Sequence, residues 1–151
     1  MSFEKTRCGE CGTKDAFVVQ NVKCRHARPW KDFPVAYITR DLELWVCNKC
    51  GNVGYPAEKA KEIDEAIEGS IKDQARQFID IIKSRSRFSI QEIARRLGVS
   101  YTHLSTIHSG ANTPSFQLWN ELKAVAMDPQ RMMEMLDPSR NPVDENIMLR
   151  A

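Results

Sequence analysis

Two Cys-x-x-Cys pairs, Cys8–Cys11 and Cys47–Cys50, constrain the first third of this 151-residue chain more than any other feature. Two residues between the cysteines let both sulfurs of a pair reach one metal ion from a tight turn, and four thiolates form a tetrahedral shell that suits Zn²⁺. A glycine follows each pair and accepts the positive φ that such a turn often needs. We therefore predict one zinc ion bound by Cys8, Cys11, Cys47 and Cys50, in two knuckles of a zinc ribbon.

Two disulfides and a redox function are the alternatives for these cysteines. The charged start Met-Ser-Phe-Glu-Lys lacks the apolar segment of an export signal, so we expect a reducing cytoplasm, where disulfides are rare. Redox Cys-x-x-Cys motifs usually occur singly, at the start of a helix. A catalytic zinc is disfavoured because four thiolates leave no position for water. Cys24, with basic neighbours, is read as a spare thiol, and replacement of a ligand by Cys24 or His26 stays a minor alternative.

The 35 residues between the two pairs are too many for a compact ribbon and must form strands of their own. Strands are predicted over residues 16–22, 35–39 and 42–46. The last two are rich in β-branched and aromatic residues and flank a turn at Arg40-Asp41. Residues 25–34 contain two prolines and several charges and are predicted as a loop. The sequence thus predicts a zinc-binding domain over residues 1–55, built on a small antiparallel sheet.

Residues 57–83 have helical periodicity. Apolar residues recur at steps of three and four, at Ile63, Ile67, Ile71, Ala75, Phe78 and Ile82. Gly69-Ser70 interrupts the pattern with a poor helix former and a good N-cap, which predicts a break. We expect a connecting helix or hinge over 56–69, an all-α domain over 70–137 and a flexible tail over 138–151. The predicted fold class is α+β, with about five helices in the second half.

Residues 88–115 predict two short helices joined by a tight turn. Ser89 caps the first helix, with Glu92 completing a capping box, and Gly98 ends it. Ser100 caps the second helix, Gly110 ends it, and further helices start near Ser115 and Pro129. The pattern comprises Ile93, Ala94, Leu97, Gly98, Val99, Ser100, Leu104, Ile107, Gly110, Thr113, Pro114 and Ser115. It resembles the helix-turn-helix of lambda-repressor-like (Xre-type) regulators over roughly residues 70–127.

Together with the two upstream cysteine pairs, the chain resembles an MqsA-type antitoxin. The resemblance implies a zinc domain that binds a toxin protein, and a helix-turn-helix domain that dimerises and represses its own operon at a palindromic DNA operator. The implied DNA-binding residues lie on the two short helices and the loop after them: Ser89, Gln91, Arg95, Arg96, Ser100, Tyr101, Thr102, His103, Ser105, Thr106 and Asn112. The sequence departs from the family in having Ile90 directly after the first cap, no lysine or arginine on the second helix, and His108 near its end.

The composition is consistent with a DNA-binding regulator but does not by itself identify one. The net charge is only +2, but the segment from Lys83 to Lys123 contains six lysines and arginines and only two glutamates, so the excess of positive charge lies in the second half. The apolar runs are too short for a transmembrane helix, and no catalytic constellation stands out, so we expect neither a membrane protein nor an enzyme. Two other functions remain: a phage or mobile-element repressor without a toxin, and a zinc-stabilised adaptor whose helix-turn-helix does not read DNA.

Overall fold

A computed structural model describes residues 7–139 and divides the chain into two compact units, with the boundary between Ile71 and Lys72. The strands are β1 (Phe17–Asn21), β2 (Ala27–Trp30), β3 (Phe33–Tyr37), β4 (Glu43–Cys47) and β5 (Val53–Gly54). A 3₁₀ turn at Ala57–Lys59 leads into α1 (Ala60–Arg85), followed by α2 (Ile90–Leu97), α3 (Tyr101–Ser109), α4 (Phe116–Met127) and α5 (Pro129–Met135). The predicted α+β class, an antiparallel sheet region followed by five helices, is confirmed.

The strands form two antiparallel sheets where one was expected. The first has the order β1-β4-β5, with Phe17 opposite Cys47 and Val46 opposite Val53. The second is a hairpin of β2 and β3. The strands on either side of Arg40-Asp41 therefore belong to different sheets and do not pair with each other.

The prediction of a loop over residues 25–34 is wrong, because this segment contains all of β2 and the start of β3. Pro29 lies in β2 at a shift of register between Arg28 and Trp30. Proline is tolerated at such a bulge, and in a two-stranded sheet it removes no hydrogen bond from a central ladder. Lys31 takes the left-handed conformation, with φ of 49°, and turns the chain so that Trp30 pairs with Phe33.

The predicted break at Gly69-Ser70 is also wrong, since α1 runs without interruption from Ala60 to Arg85. Ser70 is fully buried, and its Oγ donates to the carbonyl of Ala66 at 2.7 Å and accepts from the Thr39 N–H at 2.9 Å. At Gly69 a Cβ would lie 2.3 Å from Cζ of Arg40, so the glycine leaves room for that guanidinium. Both residues that suggested a break instead form contacts with the segment after β3.

The helices of the second unit pack around an apolar core. α1 contributes Ala75, Ile79 and Ile82. Ala75 and Ile82 belong to the predicted stripe, whereas Ile79 takes the buried place expected for Phe78, which is only partly buried. The other helices contribute residues that are at most 5% exposed: Ile93, Ala94, Leu104, Ile107, Leu118, Leu122, Val125 and Met133. Ser89, Ser100 and Ser115 cap α2, α3 and α4 through side-chain oxygens that accept a backbone N–H, as the sequence predicts for the first two.

Of the segment 138–151 predicted as a flexible tail, residues 140–151 lie outside the described part. Within residues 7–139, no helix has the combination of length and apolar character needed to cross a bilayer.

The buried hydroxyl of Ser70 yields a stability prediction. Ser70→Ala leaves the Thr39 N–H without its acceptor, and we expect a loss of about 1–3 kcal/mol in the free energy of unfolding. Ser84→Ala is the matched control, because this exposed serine of the same helix donates to the Ile81 carbonyl. Its effect should stay within about 0.5 kcal/mol. Denaturant unfolding of both variants measures the difference, and equal effects would contradict the role assigned to Ser70.

Candidate metal centre and nucleic-acid interface

The four predicted cysteine sulfurs converge on one point. Sγ of Cys8 lies 3.6 Å from that of Cys50, Sγ of Cys11 lies 3.7 Å from that of Cys47, and all four atoms lie within 4.8 Å of one another. A tetrahedral ion with bonds of about 2.3 Å to sulfur separates its ligand sulfurs by about 3.8 Å. The cluster has the donor set and the size to hold one such metal ion. Cys24 and His26 are not members of this cluster.

The two knuckles share one backbone design. In the first, the Gly12 N–H donates to the Cys8 carbonyl at 2.8 Å and the Cys8 N–H donates to Thr13. In the second, the Gly51 N–H donates to the Cys47 carbonyl at 2.9 Å and the Cys47 N–H donates to Asn52. Each glycine is left-handed, with φ of 70° and 77°, as the sequence predicts.

Strand pairing brings the knuckles together. β4 ends at Cys47, which lies opposite Phe17 of β1 in the ladder. Cys8, Ala16, Phe17 and Cys47 form one buried cluster with Trp45 packed against it. Cys8 and Cys47 are therefore buried, whereas Cys11 and Cys50 are exposed.

Polar neighbours act on the sulfurs. Hydrogen bonds from the hydroxyl and backbone of Thr13 lower the pKa of Cys11 to about 6, and the backbone of Cys11 lowers the pKa of Cys8. The Asn52 backbone also favours the Cys50 thiolate, but desolvation and the three other cysteine sulfurs outweigh it and raise the pKa of Cys50 to about 12. The raised pKa keeps the Cys50 sulfur protonated at neutral pH, and a bound cation would favour its ionised form.

Sequence reasoning missed two neighbours of the metal ligands. Thr13 Oγ1 lies 3.3 Å from Cys11 Sγ, and the amide nitrogen of Asn52 lies 3.9 Å from Cys8 Sγ. The two residues occupy the same position in the repeat Cys-x-x-Cys-Gly-x. A polar residue directly after both glycines was the available signal. Groups that bond to ligand atoms orient them and tune the metal.

The predicted nucleic-acid residues lie on α2 and α3, at the N-caps of both helices and in the loop after α3. Ser89, Gln91, Arg95 and Tyr101 line one surface pocket together with Glu92 and Val99. The side chains of Ser100, Thr102, His103 and Asn112 are exposed, and those of Ser105 and Thr106 are half-buried. Leu104 and Ile107 turn the opposite side of α3 into the core. α3 thus presents an outer surface of hydroxyl, phenol and imidazole groups.

Several of these polar groups already have intramolecular partners. The Ser89 and Ser100 hydroxyls accept the N–H of Glu92 and His103 as helix caps. Thr106 Oγ1 donates to the His103 carbonyl and accepts from the Asn112 amide at 3.1 Å, which fixes the orientation of Asn112. Thr102 and Tyr101, by contrast, extend into solvent from the first turn of α3.

The two arginines of α2 differ in their surroundings. Arg96 is only 10% exposed: its guanidinium bonds Glu92 and the Met133 carbonyl, approaches Asp137 at 3.7 Å and stacks on Phe88 at 4.3 Å. This arginine ties α2 to the end of α5, so a phosphate contact would require it to leave those partners. Arg95 is 53% exposed and contacts Glu92 through two nitrogens at 2.6 and 2.9 Å.

Glu92 is therefore a partner of both arginines. The sequence predicts that Glu92 completes a capping box with Ser89. One of the two hydrogen bonds of this box forms, since the Glu92 N–H donates to the Ser89 hydroxyl. The carboxylate itself bonds Arg95 and Arg96 three and four residues later. These hydrogen bonds lower the pKa of Glu92 to about 2. Arginines at these two spacings were a readable signal for the ion pairs.

No protein-family model, curated protein or solved structure gives a match to this chain.

For the metal centre, we expect one Zn²⁺ per chain in purified protein and its loss in Cys47→Ser. Because metal binding and folding are coupled in small thiolate sites, chelation should unfold the first unit. Cys24→Ser is the matched control, since this exposed thiol lies outside the cluster. Metal analysis and circular dichroism make the measurement. A wild-type protein that is folded and free of metal would contradict the assignment.

For Glu92, we expect an acid-dependent contribution to stability. The carboxylate has a folded-state pKa of about 2 against an ordinary value of 4.5. Its stabilising effect is therefore present above the ordinary value and is lost as the pH falls towards 2. The difference in unfolding temperature between wild type and Glu92→Gln should shrink over that range. Glu121→Gln serves as the control for loss of one carboxylate, and a difference that does not change with pH would argue against the ion pairs.

Proposed function

We propose that this chain is a DNA-binding transcriptional regulator with a structural Zn²⁺ ion, and that it is the antitoxin of a type II toxin–antitoxin pair. The observation that carries the DNA-binding part is the geometry of α2 and α3. Two helices of eight and nine residues, joined through Gly98, share one core while α3 turns a polar surface to solvent. This is the arrangement of a helix-turn-helix, in which the second helix enters the major groove.

The exposed groups of α3 suit direct contact with base edges. Hydroxyls donate to and accept from the major-groove edges, and a threonine methyl can pack on the thymine methyl. Thr102 and His103 are exposed at the start of α3, the end that meets base edges in helix-turn-helix proteins. Because α3 has no lysine or arginine, its contacts would supply discrimination and little electrostatic attraction.

Attraction to phosphates has a separate source. Lys83, Arg85 and Arg87 are exposed at the end of α1 and in the segment before α2, and Arg95 is exposed on α2. Cations near the groove-reading helix provide the sequence-independent, salt-dependent part of DNA affinity. A phosphate near Arg95 would compete with Glu92 for the guanidinium, and this competition would moderate binding to unrelated DNA.

The metal in this proposal is structural. Four thiolates complete a tetrahedral shell, so no position is left for a water molecule or a substrate. The ion would hold the two knuckles and the β1–β4 ladder together beside the buried cluster of Cys8, Ala16, Phe17 and Cys47. Non-enzymatic action is consistent with this donor set.

The antitoxin assignment, the homodimer and the palindromic operator rest on the resemblance of the two cysteine pairs and the helix-turn-helix to MqsA-type proteins. In that family the zinc domain meets the toxin. A neighbouring gene whose product arrests growth and co-purifies with the full chain would support the assignment. A chain that binds its operator without such a partner would instead be a phage or mobile-element repressor.

The DNA test begins with selection of duplexes by the wild-type protein from a random-sequence pool. Thr102→Ala should weaken binding to the selected duplex by about 1 kcal/mol, or roughly fivefold, and leave binding to a scrambled duplex unchanged. Arg95→Ala should weaken binding to both duplexes alike and reduce the salt dependence by about one phosphate contact. Arg131→Ala, which removes an exposed arginine of α5, is the control. If no duplex is enriched at low salt, the adaptor function replaces DNA binding.

A further inference from the structure

Polar contacts join α1 to the C-terminal end of α3. Nε of Arg76 donates to the His108 carbonyl and Nη2 donates to the Ser109 carbonyl, both at 3.1 Å. One turn later in α1, Oδ1 of Asp80 lies 2.7 Å from Nε2 of His108. Gly110 completes the arrangement, because a Cβ at this position would lie 2.5 Å from Nη2 of Arg76. We refer to Arg76, Asp80 and His108 as the α3 clamp.

The chemistry of the clamp matches the end of a helix. The last carbonyls of a helix have no partner within it, and they carry the negative end of the helix dipole. The guanidinium of Arg76 is planar, always charged and able to donate to two carbonyls at once. Asp80 lies four residues after Arg76, on the same side of α1, and bonds the ring of the residue whose carbonyl Arg76 holds.

We propose that Arg76 and Asp80 are positioning residues for α3, which they hold in the orientation needed to read base edges. This role rests on the proposed DNA-binding function. Neither residue would touch DNA bases in this role. They act on the opposite end of the helix from Thr102 and His103, and they fix how those side chains are presented.

The composition of α3 explains why its position matters. A helix with lysines or arginines keeps much of its attraction to DNA when it shifts slightly, because charge–charge forces fall off slowly with distance. Hydroxyl and methyl contacts are short-range and directional, and a displacement of about 1 Å removes most of their benefit. An uncharged reading helix therefore depends on the residues that fix its place.

The experiment compares two affinities at one salt concentration: that for the duplex selected by the wild type and that for a scrambled duplex of the same length. Their ratio reports discrimination and is insensitive to a change in the fraction of folded protein. Arg76→Met removes the two donors, Arg76→Lys restores a charged donor, and Asp80→Asn removes the carboxylate partner of His108. Arg131→Met is the control for loss of one arginine charge, since Arg131 is exposed on α5 and lies outside the clamp.

We expect Arg76→Met to lower the ratio by about tenfold, the equivalent of one charged hydrogen bond. Arg76→Lys should recover part of the loss, Asp80→Asn should lower the ratio by a smaller factor, and Arg131→Met should leave it unchanged. If Arg76→Met does not fold, Asp80→Asn and Arg76→Lys carry the comparison. If Arg76→Met and Asp80→Asn both keep the wild-type ratio of the two affinities, the positioning role is overturned while DNA binding stands. A wild type that prefers no duplex overturns the proposed function, and the positioning role with it.

Discussion

The first unit depends on the meeting of four cysteine sulfurs within 4.8 Å. Two of them, Cys8 and Cys47, are buried in a cluster with Ala16 and Phe17, and the same unit also buries larger apolar side chains such as Ile38, Leu44 and Ile67. Desolvation and the neighbouring sulfurs raise the pKa of Cys50, whereas hydrogen bonds from Thr13 lower the pKa of Cys11. A cation bound there would remove the repulsion between ionised sulfurs and join two knuckles that are far apart in sequence, so that metal binding and folding would be coupled at this end of the unit.

The second unit depends on apolar burial. α1 supplies Ala75, Ile79 and Ile82 to a core that also takes residues from every later helix. Capping serines and the left-handed glycines at the ends of α2 and α3 set where each helix begins and stops. Arg96 then ties α2 to the end of α5 from inside the unit. α3 turns Leu104 and Ile107 into this core and leaves Tyr101, Thr102 and His103 exposed.

Around the proposed DNA surface, the residues that would attract phosphates differ from those that would contact base edges. The exposed cations precede α2 or lie on it, whereas α3 offers hydroxyl and imidazole groups. Glu92 bonds Arg95 and would limit its attraction to DNA of any sequence. The α3 clamp fixes the helix that would discriminate between sequences. Such a protein would gain selectivity from placement more than from charge, consistent with a net charge of only +2.

The sequence by itself determined the features whose signals lie within a few residues: the ligand cysteines, the glycines after them, the helix caps and the apolar stripe of α1. Tertiary structure decided the features whose partners are distant. Gly69-Ser70 lies inside a helix, where the Ser70 hydroxyl bonds the Thr39 N–H and the Arg40 guanidinium takes the space of a side chain at residue 69. Residues 27–30 form a strand because β3 pairs with them. Arg96 turns inward because the Met133 carbonyl meets it there. Local patterns specify helix caps and the spacing of apolar residues. The partner of a charged side chain or of a strand edge is distant in sequence and is determined only when the chain folds.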